Sequence, residues 1–188
     1  MNLPWGKEST KVFVTNVGLI TSNGPRGYDI MACEWTHQVS YEPGLIAVCI
    51  NPKDATHDNI SKTKEFGVNL CASDQNVLSS ISGRNSGRNV NKIEALKELG
   101  YSFFKSKKIN VLMVEGAAMN AECRLVQELK LGDHMAFVGE VVELYPVSGK
   151  EPLVYHSQKY WKLGQNIPKP QQEQLDRISN VIEKHKKK

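Results

Sequence analysis

Residues 31–72 read MACEWTHQVSYEPGLIAVCINPKDATHDNISKTKEFGVNLCA, and their pattern decides the fold. The order is strand, polar loop, strand, polar loop, short helix, strand. LIAVCI, residues 45–50, is too short for a helix and reads as a buried strand. Before it, YEPG at 41–44 is a turn, because Pro43 lacks the amide hydrogen that a central strand needs. After it, residues 51–56 form a loop, and Thr56 or Asp58 is the expected cap of a helix starting near His57. Residues 66–71 return to strand. The polar loops carry Trp35, Thr36, Asn51, Lys53, Thr56 and His57. Such aromatic, hydroxyl and cationic groups suit a planar, phosphorylated cofactor.

Working outward, residues 12–17 predict a first strand, residues 19–27 a loop rich in turn residues, and residues 29–35 a second strand. Ser73 or Asp74 is placed to cap a helix through Val77, Leu78 and Ile81. SGRNSGRNVNK, residues 82–92, is polar, basic and glycine-rich and reads as a surface loop. Asn91 then opens a helix with Ile93, Leu96 and Leu99 on one face and Gly100 at its end. Residues 117–129 and 134–144 are two β-type runs around a tight turn at Leu131, Gly132 and Asp133, a hairpin signal. A short strand follows at 153–155. Leu175, Ile178, Val181 and Ile182 recur at helical spacing within 171–185, marking an amphipathic C-terminal helix.

The chain therefore reads as mainly β with inserted helices. Regular βαβ alternation and GxGxxG are absent, which argues against a dinucleotide-binding doubly wound sheet. A β-barrel decorated with helices fits better. The expected division is one domain over residues 1–164 and a tail over 165–188 with a basic end. At 188 residues, 40% hydrophobic and 23% charged, the composition is that of an ordinary globular domain. No run approaches the ~20 apolar residues of a membrane helix, and the N-terminus lacks a signal-peptide core, so a cytoplasmic protein without a membrane partner is expected. Cys33, Cys49, Cys71 and Cys123 have no CxxC spacing and read as reduced, mostly buried thiols, with Cys33 the one placed for a redox role. The net charge of +4 owes much to KHKKK at 184–188 and comes with no nucleic-acid-binding signature. No nucleic-acid partner is expected.

The chemistry begins from what is missing. HExxH, GxSxG and a P-loop are absent, and no Cys/His group has metal spacing. Cofactor-like loops without a nucleophile point to borrowed chemistry, in which the protein binds, orients and tunes a cofactor. A phosphate would need cations and hydroxyl or amide donors. Lys53, Thr56, Ser86, Arg88 and Lys92 are the candidates.

A resemblance adds to this. Ala32, Trp35, Val39-Ser40, Thr56-His57 and the run Phe66-Gly67-Val68-Asn69 resemble, in order and spacing, the flavin reductase-like family with the FMN-binding split-barrel fold. So do Ser86-Gly87 with Val90-Asn91-Lys92, Ala121-Glu122-Cys123-Arg124, Gly132-Asp133-His134, the run Phe137 to Val141, and Pro152-Leu153-Val154-Tyr155. The likeness runs from about residue 12 to about residue 160. It implies that Trp35, Thr36, Thr56, Lys92 and His134 contact FMN. Asp29, Met31, Ala32, Glu34 and Asn51 would line the pocket or supply backbone contacts, and Trp161 would stand near the flavin ring. A homodimer is also implied. The chain departs from the family at Pro43-Gly44, where a second proline is usual, and at Asn91, where an acidic residue usually precedes the lysine. The expected activity is hydride uptake from NAD(P)H, with electrons passing through flavin to free flavin, ferric iron or a protein. The alternative is a flavoredoxin-type FMN electron carrier reduced by a redox protein partner instead of NAD(P)H.

Overall fold

The computed structural model describes residues 2–187. Its strands are β1 Val14–Asn16, β2 Gly18–Ser22, β3 Asp29–Cys33, β4 Thr36–Ser40, β5 Leu45–Ile50 and β6 Glu65–Leu70. Then come β7 Phe103–Lys105, β8 Leu112–Val114, β9 Met119–Leu131, β10 His134–Leu144, β11 Val154–His156 and β12 Lys159–Trp161. The helices are α1 Glu8–Lys11, α2 Ala55–Thr63, α3 Asn76–Arg84, α4 Lys92–Glu98 and α5 Gln172–Lys184.

Seven strands make one antiparallel sheet in the order β3-β2-β6-β9-β10-β5-β4. The sheet curls so that the end of β3 returns to β5, where the Cys33 thiol lies 3.4 Å from the Cys49 carbonyl. The inside of this half-barrel is filled by Ile20, Val48, Ile50, Phe66, Val68 and Phe137, with Ile60 of α2 among them. On the outside, Leu78 of α3 and Ile93 and Leu96 of α4 pack against Leu19 and Ile30. The β7–β8 hairpin adds a smaller cluster built on Ile109, Val111 and Met113. The sequence pattern gives no sign of this hairpin.

Residues 19–22, expected in a loop, instead form the fully buried strand β2. Leu19 faces the helix layer and Ile20 the barrel interior. A strand covered on both faces loses its polar alternation, so its short apolar run beside turn residues gives no period to read. Thr36 begins β4 rather than sitting in a loop.

Helix α2 starts at Ala55, with Asp54 in the cap position, two residues before Thr56 and four before Asp58, the expected caps. The surface-loop reading of residues 82–92 fails at both ends. Helix α3 continues through Arg84, and Ser82 and Lys92 are buried. Asn91 caps α4 as expected, its side chain accepting from the Glu94 amide. Leu99 is 60% exposed, away from the buried pair Ile93 and Leu96. The β9–β10 hairpin forms as expected, with His134 opposite Leu131. Helix α5 is amphipathic and buries none of its residues. No helix among the described residues is long and apolar enough to cross a membrane.

Candidate functional site

An inner cavity of about 200 Å³ lies where β3, the first turn of α2 and the end of α3 meet. Asp29, Met31, Ala32, Thr56, Ser86 and Lys92, all proposed from sequence, line it. Its centre is the buried Asp29 carboxylate. One oxygen accepts from the Thr56 hydroxyl at 2.7 Å, and the other pairs with the Lys92 ammonium at 3.2 Å. Asp29 and Lys92 are each 3% exposed, so each charge is neutralised by the other. Burying either alone would be strongly unfavourable. Gly87 lies so close to Asp29 that a Cβ there would collide with the carboxylate. Glycine thus lets the 85–87 loop close the wall.

Two features of this cavity remain unsatisfied. The Ser82 hydroxyl is buried without a hydrogen-bond partner. Asp54 makes no side-chain cap on α2, so the first-turn amides have neither an intrahelical nor a capping acceptor, and Ala55 and Thr56 of that turn line the cavity. Burial pushes the Asp54 carboxyl above its ordinary range, while the charges of Lys92 and His134 pull it the other way. Buried polar groups normally find partners. A cavity offering an orphan hydroxyl, helix-start amides and a lysine matches the donor set of a phosphate.

Ala32 and Gly83 also line a second cleft of about 470 Å³ on the other side of the β3–α3 contact. Trp5, Tyr155 and Tyr160 give it aromatic walls, and Glu34 and Arg84 supply charge at its edge. Glu34 accepts from the Trp5 indole at 3.2 Å, and Tyr160 shares a 3.0 Å hydrogen bond with Ser79. Burial raises the Tyr155 phenol above its ordinary range, helped by the Glu34 charge.

The remaining sequence candidates lie elsewhere. Trp35 and His134 form an aromatic pair with centroids 4.7 Å apart, and neither lines the inner cavity. Thr36 is buried at the start of β4, where its hydroxyl donates to the Cys33 carbonyl at 3.1 Å. Asn51 shapes its loop by accepting from the Lys53 amide, and the Lys53 carbonyl accepts from Arg88. Arg88 pairs with Asp58 at 2.9 Å and faces a separate outer cleft. Trp161 donates to the His156 carbonyl from an exposed edge, and its neighbour Tyr160 is the residue in the aromatic cleft.

Sequence reasoning missed Asp54 and Ser82. The signal for Ser82 was present, because Leu78, Ser79 and Ser82 share one helical face and all three are buried. Cys33, the thiol placed for a redox role, is buried and pushed up to about 11 by that burial, so it is a neutral thiol near pH 7.

The sequence profile described as "Flavin reductase like domain" matches residues 10–164. An uncharacterized protein of Pyrococcus abyssi is 30% identical over 124 residues, covering 66% of this chain and 69% of that protein. The FMN reductase (NADH) RutF of Pseudomonas syringae is 26% identical over 152 residues, covering 81% of this chain and 82% of its own length. The crystal structure of flavoredoxin from Methanosarcina acetivorans superposes with a TM-score of 0.75 at 23% identity, over 92% of this chain and 96% of that one. At that identity the likeness concerns fold alone, and the fold is the FMN-binding split barrel. With the profile covering most of its length, the chain belongs to the flavin reductase-like domain family.

Proposed function

We propose that this chain binds FMN and works as an NAD(P)H-dependent flavin oxidoreductase. The observation that carries the reading is the pair of adjoining compartments sharing Ala32 and Gly83, one polar and one aromatic. The inner cavity, with its orphan Ser82 hydroxyl, uncapped α2 turn and Lys92, fits a phosphate. The aromatic cleft fits a flat ring held between Trp5, Tyr155 and Tyr160.

When bound, flavin supplies a ring that accepts hydride and releases electrons. The chain's own part is positional. Asp29 holds Lys92 and Thr56 in fixed places, so that the phosphate end is received by pre-set groups. The α2 amides and the Ser82 and Ser86 hydroxyls supply the donors. The aromatic walls exclude water from the ring and leave a face for the nicotinamide. No side chain is assigned as acid or base. The NADH reaction named for RutF supports a pyridine nucleotide as donor. The acceptor class remains free flavin, ferric iron or a protein. We also infer a homodimer, formed on the outer face of the sheet that carries Trp35 and His134.

The deciding experiment is an oxygen-free titration of the FMN-saturated protein with NADH and with NADPH, following the blue flavin absorption. Bleaching by either nucleotide is expected. Retention of FMN with bleaching by dithionite alone would overturn the reductase reading in favour of an electron carrier fed by a protein. Failure to retain FMN at all would overturn the cofactor.

A further inference from the structure

One wall of the aromatic cleft belongs to no strand of the sheets and to no packed helix. It is Trp5, in the segment ahead of β1. Trp5 is 66% exposed, and helix α1 just after it buries none of its residues. The segment thus adds almost nothing to the core, yet its sequence sets it in one place. The Lys7 amide donates to the Pro4 carbonyl, closing a turn with Trp5 and Gly6 at its tip. Gly6 has φ +79°, the left-handed value that the third residue of such a turn needs and glycine adopts freely. The turn brings the Trp5 indole to the Glu34 carboxylate, to which it donates at 3.2 Å. The other half of the grip is the tip of the β11–β12 hairpin. Ser157 and Gln158, at φ +50° and +61°, form a two-residue turn of the kind usually built from Asn-Gly. Neither residue favours that backbone, so the tip is held at a conformational cost. Its side chains hold the segment. The Ser157 hydroxyl donates to the Lys11 carbonyl at 3.1 Å. Gln158 packs so tightly under Gly6 that a Cβ there would meet its amide nitrogen at 2.6 Å, and Gln158 also lines the cleft.

We propose that residues 3–13 are a latch over the flavin ring, closed by the Trp5–Glu34 hydrogen bond and seated on Gln158, and that the latch makes FMN a resident group instead of a passing substrate. The inference rests on the assignment of the ring to the aromatic cleft. Two observations point to it. The segment is held by a few polar contacts and not by buried surface, which is what a part that opens and closes requires. Its aromatic side chain stands in the wall of a cleft whose other walls, at Val17, Ala32, Ser79 and Tyr155, belong to strands and to a helix of the packed fold. Trp5 is therefore the wall that can move. Its exposed face gains cover when a flat ring enters, so occupation of the cleft favours closure. A ring held in this way passes its electrons to an acceptor arriving at the cleft, without leaving the protein.

The test measures both rates of FMN exchange. Association is followed by stopped-flow quenching of flavin fluorescence. Release is followed by diluting the loaded protein into FMN-free buffer and watching the fluorescence return. Three proteins are compared: the full chain, the full chain with Trp5→Ala, and a chain lacking residues 2–11. Trp5→Ala keeps the rest of the segment, so the comparison survives if the shortened chain fails to fold, which circular dichroism reports. A latch slows entry as well as exit. Both variants are therefore expected to release FMN on the order of tenfold faster and also to take it up faster, so that Kd changes less than either rate. Faster release with unchanged association would mean that Trp5 is a fixed wall that has lost a contact, and the latch is overturned. Equal release from every folded variant and the wild type, with FMN bound, overturns it as well. If the wild type takes up no FMN, the flavin reading itself falls and the latch falls with it, an outcome distinct from FMN that binds and exchanges at one common rate.

Discussion

Glu122 shows what a single buried carboxylate does here. It is fully buried on β9 and accepts from the amides of Lys107, Lys108 and Ile109, at 2.6, 2.7 and 3.1 Å, and from the Tyr145 hydroxyl. Burial alone would raise its carboxyl, but the Tyr145 hydroxyl and the three amides outweigh that and hold it below the usual carboxylate range. A carboxyl lowered in the folded state stabilises fully above its unfolded value, about 4.3. That contribution is lost as pH falls through the lower folded value. Glu122→Gln keeps the size but sets an amide group against three backbone donors. The variant is expected to lose about 2–3 kcal/mol at pH 7 by urea unfolding. Its deficit relative to wild type should shrink below about pH 4. A deficit that stays constant down to pH 3 would show that packing, not the carboxylate, pins the 106–111 loop.

At the scale of elements, the half-barrel depends on strands that approach closely. Gly139 of β10 sits at a register shift against β9, and a Cβ there would press on the Phe66 ring and on Cys123 at 2.8 Å. Neither neighbour has room, because both are fully buried in the barrel core. Gly139→Ala is therefore expected to destabilise the protein by about 1–3 kcal/mol, read from the midpoint of denaturant unfolding. An unchanged midpoint would mean that β10 shifts freely.

The same scale explains what the sequence makes legible. LIAVCI announces β5 because a short apolar run between turns has few other readings, and the β9–β10 hairpin is announced by its glycine turn. Strand β2 is hidden because both of its faces are covered. The β7–β8 hairpin is hidden because its three-residue strands are too short to show a period. In the site, Lys92 and Thr56 were legible as polar residues at helix starts. Their shared partner Asp29 was visible only as a pocket-lining residue, because a contact across 63 positions between Asp29 and Lys92 leaves no local pattern.

At the scale of the whole molecule, the sheet is covered unequally. Helices α3 and α4 pack over the outer side at Leu19 and Ile30, and α2 reaches the barrel interior through Ile60. Register gives the face at the other end of the sheet. Cys49 pairs with Ala136 and Ala136 with Leu129, while Ala47 pairs with Val138. The Trp35 carbonyl accepts from the Cys49 amide, so Trp35 joins the same row, and His134 stacks beside it. Small and apolar residues, with His37 and Gln127 opposite Ala47 and Val138, thus share one face of the sheet. Leu129 is 43% and Trp35 47% exposed there, more apolar exposure than a solvated sheet face usually carries. A second copy packing on this face would bury the row and bring each Trp35–His134 pair next to its partner's barrel. In light scattering after gel filtration, the wild type is expected to have about twice the 21.1 kDa chain mass. Val138→Lys, which places a charge in the middle of that face, is expected to give the mass of one chain with an unchanged circular dichroism spectrum. If the wild type itself runs as one chain while holding FMN fully, this face is not the interface and the pocket is complete within a single subunit.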